Sequence, residues 1–213
     1  MGFRDGEETD CWGRVKPNGN GTSGVAVRDR VVKPLGTEVE AVWFTDAVDH
    51  FFVKRNGRTG KGRQQGDAID QDYAPFAAAI GLPATSLPTR PSVGDMVAVA
   101  VGEHRERLRD ELSAARAPIV VSLGEEARWV LSHIADELVG PPASRLDSRT
   151  MDPNAYGSGG RIAIGGYDAL CHALVHPGQR GRAWVTIHDA WIERIRSATW
   201  SRRQSSERSP GAS

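Results

Sequence analysis

One histidine stands where an imidazole can act on a ligand. His176 follows the apolar run 169–175 and precedes Pro177 and Gly178, so it comes directly after a predicted strand. A neutral imidazole at such a position donates a hydrogen bond to a developing oxyanion or acts as an acid or base. The alternative is a loop histidine that bonds a backbone carbonyl. His176 is therefore the first candidate for a catalytic group.

Carboxylates supply two further candidates. Asp46 follows the run WFT at the end of another predicted strand, where it accepts hydrogen bonds from a ligand, orients water, or caps the next turn. The segment 5–10 carries four carboxylates, Asp5 among them. Paired carboxylates bind metal ions or activate water. Solvated loop charge is the simpler explanation of that segment.

Arginines cluster after His176. Arg180 and Arg182 lie in the loop that follows it, and four more lie in or behind the last predicted helix: Arg194, Arg196, Arg202 and Arg203. A local cluster of this kind can hold a phosphodiester backbone. Charged helix faces exposed to solvent are the alternative.

Strands that alternate with helices must position these residues. Strands are predicted within 39–53, 118–124, 161–165 and 169–175, and helices within 25–32, 93–116, 127–138 and 183–198. Nearly all-apolar strands indicate a parallel sheet covered on both faces, with ligands bound at the carboxyl ends of its strands. Segments 41–45, 118–123 and 169–175 are expected to lie parallel and adjacent. The polar stretch 54–92 predicts a functional loop or a surface excursion with one short helix.

Composition narrows the class of protein. The 213 residues are 39% hydrophobic, and 27 basic residues balance 27 acidic ones, so bulk charge does not hold the chain on nucleic acid or membrane. Two cysteines, Cys11 and Cys171, are too few for a disulfide scaffold, an iron–sulfur cluster or a structural zinc site. No apolar run spans a bilayer, and the first ten residues do not resemble a signal peptide. We expect a cytoplasmic monomer with one domain over residues 1–200 and a disordered tail over 201–213.

Four stretches occur in the order in which the uracil-DNA glycosylase superfamily has its motifs. They are a glycine-bearing entry over 6–24 that ends in GTSG, the run VWFTDAV at 42–48, the run VVSLGEEA at 120–127, and VHPG at 175–178. On these stretches the chain resembles that superfamily, from about Gly6 to Arg194.

The resemblance implies a fold and an activity. The fold is a three-layer α/β/α domain with a short, mostly parallel central sheet. The activity is hydrolysis of the N-glycosidic bond of a uracil or related base that has been flipped out of DNA, without a metal or cofactor. His176 would stabilise the departing base, and Gly19, Gly21 and Asp46 would contact it. DNA binding falls to the following residues: Ser23, Pro177, Gly178, Gln179, Arg180 and Arg182.

The chain departs from the family pattern at its first motif. Residues 2–6 fall where members of the family carry the residue that positions the catalytic water. Asp5 is the nearest acidic residue and lies one position away from the expected one. The first strand is therefore expected to be short or missing, and base excision to be slow or absent. Asp46 stands where relatives place an asparagine, and a carboxylate only accepts hydrogen bonds. A non-catalytic DNA- or nucleotide-binding module on the same fold is the alternative.

Overall fold

The computed structural model describes residues 21–49, 52–53, 61–79, 81, 88–147, 151–177 and 181–207. Contacts divide the chain into two compact units, the first made of residues 1–45 and 107–213 and the second of residues 46–106. The single domain over residues 1–200 stays a prediction, because compact units of one chain need not be independent domains.

A four-stranded sheet lies at the centre of the first unit. Its strands are β1 (Ile119–Leu123), β2 (Glu137–Val139), β3 (Gly160–Ile164) and β4 (Tyr167–Leu174), in the spatial order β1-β4-β3-β2. β1 and β4 are parallel and adjacent, as predicted for segments 118–123 and 169–175. The chain therefore has an α/β fold.

The sheet is mixed rather than mostly parallel. β3 pairs antiparallel with both β4 and β2, so one of the three pairings is parallel. Gly165 and Gly166 join β3 directly to β4, with φ angles of 56° and 80°. A two-residue hairpin turn of this kind needs positive φ at both positions, which glycine adopts without strain. The prediction of a mostly parallel sheet is wrong because two glycines replace a helical crossover here.

The strand predicted within 39–53 does not form in the described part of that segment. Val39–Ala41 is a 3₁₀-helix, and residues 42–46 have no regular structure. The side chains of Trp43 and Phe44 are 67% and 54% exposed. Aromatic and β-branched residues favour strands only where a neighbouring strand packs against them. Among the described residues none pairs with 41–45, so the prediction that this segment joins the sheet is wrong.

The α-helices match the predicted positions only in part. They are α1 (Gly21–Val27), α2 (Lys61–Ala79), α3 (Val93–Gly102), α4 (Arg105–Ala115), α5 (Glu125–Ile134) and α6 (Arg182–Glu207). A π-helix, Arg28–Val32, continues α1. The helix predicted over 93–116 is two helices, and Leu138 belongs to β2 rather than to α5, because Ala135 is extended and ends that helix. Residues 201–207 of the predicted disordered tail belong to α6.

The second unit contains α2 and α3. The 19-residue α2 occupies the stretch for which a loop or one short helix was expected. α3 begins after Ser92, whose hydroxyl accepts a hydrogen bond from the Asp95 N–H at 3.2 Å. That bond satisfies one of the unpaired N–H groups of the first turn. Val53 and Thr89 form an isolated parallel bridge in the same unit.

Apolar side chains cover both faces of the sheet in the first unit. On one face Leu174 packs in a cluster with Val31, Tyr156 and Trp191, so the π-helix and α6 share this core. On the other face lies a second cluster with partly buried residues of α4 and α5 around it: Val120, Ile162, Ala169 and Cys171, with Leu112 and Leu131. The first of these cores extends to the end of β4, where the candidate site lies.

Candidate functional site

A cavity of about 310 Å³ opens where β4 ends. The segment after β4 contributes His176 and Pro177, the π-helix contributes Arg30, and α6 contributes Trp184 and His188. Four aliphatic side chains complete the lining: Ala26, Val31, Val175 and Val185. Its volume is at the lower end of the range for small-molecule sites, and its lining combines apolar surface with a few convergent polar groups.

The pairing of β1 with β4 places His176 at this cavity. The Gly124 N–H, directly after β1, donates to the Leu174 carbonyl at 2.8 Å, so the two strands end side by side. Gly124 has a φ angle of 103°, and a Cβ atom there would lie 3.4 Å from the His176 Cβ. The positive φ rather than lack of space favours glycine at 124, because 3.4 Å is an ordinary contact distance. His176 is exposed at the carboxyl end of β4, as predicted.

Tyr156 and His188 form a buried chain of hydrogen bonds beside the cavity. The Val175 N–H donates to the Tyr156 Oη at 2.9 Å, and that oxygen lies 2.9 Å from the His188 Nδ1. The His188 Nε2 lies 2.9 Å from the Arg30 carbonyl. A carbonyl only accepts, so Nε2 carries the proton, and Nδ1 accepts the Tyr156 hydroxyl proton.

Burial keeps both members of this chain uncharged. Burial lowers the pKa of His188 below 6.5, against the opposing effect of its hydrogen bond to Arg30. Burial likewise raises the pKa of Tyr156, because the phenolate would be poorly solvated there. Both ring nitrogens of His188 are thus satisfied in the neutral form, and its ring is not a free acid or base for a ligand.

The arginines near the cavity differ in their surroundings. The Arg30 guanidinium donates to Asp189 at 2.7 Å, in an ion pair whose side chains are 40% and 55% exposed. Arg194 donates to the carbonyls of Pro153 and Tyr156, so it fastens the turn that carries Tyr156 onto α6. Arg182 begins α6 and is exposed to solvent.

The other predicted site residues are dispersed or undescribed. Asp46 is exposed, does not end a strand, and belongs to the second unit. Gly21 and Ser23 were predicted in a glycine-rich loop, but both lie in the first turn of α1, which the π-helix continues. The remaining predicted residues lie outside the described part of the chain: Asp5, Gly19, Gly178, Gln179 and Arg180.

Glu125, the first residue of α5, makes structural contacts rather than contacts with the cavity. Its carboxylate binds the buried Arg128 guanidinium at 2.9 and 3.0 Å and accepts the Leu146 N–H at 2.9 Å. Burial opposes ionisation of Glu125, but these hydrogen bonds outweigh it and hold its pKa below the usual value. The pair secures the start of α5.

Tyr156 and His188 were not among the predicted site residues. His188 lies four residues after Trp184 and three before Trp191, which places a polar ring on the apolar face of the last predicted helix. That position is a signal in the sequence. Tyr156 lies 32 residues away in an irregular segment, and no spacing rule connects the two.

The described residues contain no group of three or more histidine, cysteine or acidic side chains placed to hold a metal ion. None of the helices in the described residues is both long and apolar enough to cross a membrane.

Comparisons of the chain with protein-family models, with curated proteins and with solved structures find no match.

Proposed function

We propose that this protein is a DNA glycosylase-like protein that hydrolyses the N-glycosidic bond of a uracil or related base flipped out of DNA. The base would enter the cavity at the end of β4, and the three-layer fold of that superfamily is part of the proposal. The single observation that carries it is the position of His176, exposed after a strand end on the wall of that cavity.

The lining of the cavity fits a flat heterocycle. Trp184 offers an aromatic surface, and Val31 and Val175 offer aliphatic ones. Flipped bases are held between such side chains and read by hydrogen bonds to their edges. His176 supplies a polar group at the rim, where an imidazole can stabilise the negative charge that develops on a departing base. Arg30 lines the cavity, where a phosphate oxygen would replace Asp189 as the partner of its guanidinium, and the exposed Arg182 at the start of α6 would contact phosphate as well.

The test is excision from a uracil-containing oligonucleotide, single- and double-stranded. We expect slow turnover, which falls by a factor of about 10² to 10⁴ in His176→Ala if His176 takes part in the chemistry. His133→Ala is the matched control, because His133 is an exposed histidine on α5 that does not line the cavity. Equal rates in the two variants would contradict a contribution of His176 to the reaction.

A non-catalytic DNA- or nucleotide-binding module is the second candidate. It is favoured by the absence of any carboxylate among the described residues that line the cavity. Hydrolysis needs a group that positions or activates water, and Asp5, the acid nearest the first family motif, lies outside the described residues. Salt-dependent DNA binding without excision, weakened by His176→Ala, would decide for this candidate.

A further inference from the structure

The chain of hydrogen bonds through Tyr156 and His188 joins three segments that line the cavity. Val175, next to His176, donates to the Tyr156 hydroxyl. His188 is itself on α6, and its Nε2–H donates to the Arg30 carbonyl of the π-helix. Tyr156 does not line the cavity, yet it is fully buried directly behind it. Its hydroxyl is the junction between the strand end and the other two walls.

We propose that Tyr156 and His188 are positioning residues that hold the segment carrying His176 against the cavity, and that they do so only while the His188 imidazole is neutral. The proposal concerns the geometry of the cavity, and it rests on the proposed function only where DNA binding is the readout.

The need for a neutral imidazole follows from counting donors and acceptors. In the neutral chain each donor has one acceptor: Val175 N–H to Tyr156 Oη, Tyr156 O–H to Nδ1, and Nε2–H to the Arg30 carbonyl. A protonated His188 carries a second N–H at Nδ1, which faces the Tyr156 hydroxyl. That oxygen must then accept two hydrogen bonds, and its own proton loses its acceptor in a buried place. Protonation of His188 therefore leaves the Tyr156 hydroxyl proton buried without an acceptor and weakens the junction that holds the strand end.

Charged and titratable groups face His188 from each neighbouring element. From the π-helix the Arg30 guanidinium disfavours a positive charge on the ring, and from α6 itself the Asp189 carboxylate favours it. These two groups pair with each other at 2.7 Å, so their effects on the ring oppose one another. Tyr156 faces the ring as an uncharged hydroxyl, His176 lines the same cavity, and the Trp191 ring packs with its centroid 5.0 Å away.

The first experiment reads the imidazole directly by long-range ¹H–¹⁵N NMR of the full chain. At neutral pH we expect the His188 ring with its proton on Nε2. On titration we expect it to protonate below pH 6.5, with the Val175 amide shifting at the same midpoint. A proton on Nδ1, or a Val175 amide that does not respond when His188 protonates, would overturn the proposal.

A variant gives the same information without lowering the pH. Tyr156→Phe removes the acceptor of the Val175 N–H, so the Val175 amide and the His176 ring should shift at neutral pH. Tyr167→Phe is the matched control, because the Tyr167 hydroxyl is buried in the other core and has no hydrogen-bond partner among the described residues. Identical His176 and Val175 signals in wild type and a folded Tyr156→Phe variant would refute the positioning.

Binding of a uracil-containing single-stranded oligonucleotide supplies the functional readout. His188→Gln keeps a donor for the Arg30 carbonyl but removes the ring acceptor of the Tyr156 proton. We expect it to weaken binding about tenfold, as the loss of one buried hydrogen bond would, whereas His133→Gln leaves binding unchanged. Unchanged binding in a folded His188→Gln variant would count against the proposal. A wild type that binds no oligonucleotide contradicts the proposed function, while the NMR measurements still decide the positioning.

Discussion

Gly157 is the position at which a single methyl group should disturb the core behind the cavity most. It has a φ angle of 63°, and its carbonyl accepts hydrogen bonds from the Trp191 Nε1 at 3.1 Å and the His172 Nδ1 at 2.7 Å. A Cβ atom at Gly157 would overlap the Trp191 ring, with Nε1 at 2.6 Å, and would lie 2.8 Å from the Leu174 Cδ2. Neither neighbour can move freely, because Trp191 and Leu174 are both buried.

The cost of Gly157→Ala has two parts. A left-handed backbone costs alanine about 1–2 kcal/mol, and forcing a methyl group into a packed core costs about 1–3 kcal/mol more. We therefore expect the free energy of unfolding to fall by about 2–5 kcal/mol. Gly166→Ala is the matched control, because Gly166 has a φ angle of 80° and nothing within 4 Å of the added Cβ. The free energy of unfolding of Gly166→Ala should therefore fall only by the backbone cost of about 1–2 kcal/mol.

Urea unfolding followed by circular dichroism measures both variants against wild type. Both variants carry the same backbone strain. The difference between their losses in free energy of unfolding therefore gives the cost of the overlap with Trp191 and Leu174. If Gly157→Ala were destabilised no more than Gly166→Ala, the packing around Trp191 described here would be wrong.

Two further predictions concern buried groups of the first unit. Burial raises the pKa of the Cys171 thiol to about 12. In a Cys11→Ser background we therefore expect no reaction with a thiol reagent at pH 8 until urea unfolds the chain. A fast reaction of the folded protein would contradict the burial of Cys171. Arg128→Met should lower the free energy of unfolding by about 1–3 kcal/mol at pH 7, because it removes hydrogen bonds to a charged partner. The pKa of Glu125 is lower in the folded chain, so this stabilisation is fully present above the usual pKa of 4.5, declines as the pH falls below 4.5, and is lost once the pH has passed through the lower folded-state pKa. A loss that is as large at pH 3.5 as at pH 7 would refute the ion pair.

The sequence predicts the strands and helices next to the cavity well. The apolar runs at 118–124 and 169–175 become β1 and β4, and their parallel pairing places His176 where the pattern indicates. The last helix is predicted from the spacing of Trp184, Ile187 and Trp191, whose side chains do pack into one core. Each of these features follows from local periodicity and burial, which single segments carry in their own residues.

The features that the sequence did not predict depend on contacts between distant segments. The run at 42–46 has strand-forming residues, but Trp43 and Phe44 are exposed, since strand formation needs a partner that no local pattern supplies. The pair Gly165-Gly166 is an exception, because it is a local hairpin signal that is at odds with the mostly parallel sheet expected from the apolar strands. The chain from Val175 through Tyr156 and His188 to Arg30 joins residues up to 158 positions apart, so only the folded chain reveals it.

The central claim is that the cavity beside His176 receives a DNA base. Chemical-shift mapping tests it most directly, with a uracil-containing single-stranded oligonucleotide compared with an oligonucleotide of the same length that carries an abasic site in place of the uracil. We expect changes specific to the uracil at Val175, His176 and Trp184, which line the cavity. Shifts that are the same for both oligonucleotides, or that lie away from the end of β4, would contradict the claim.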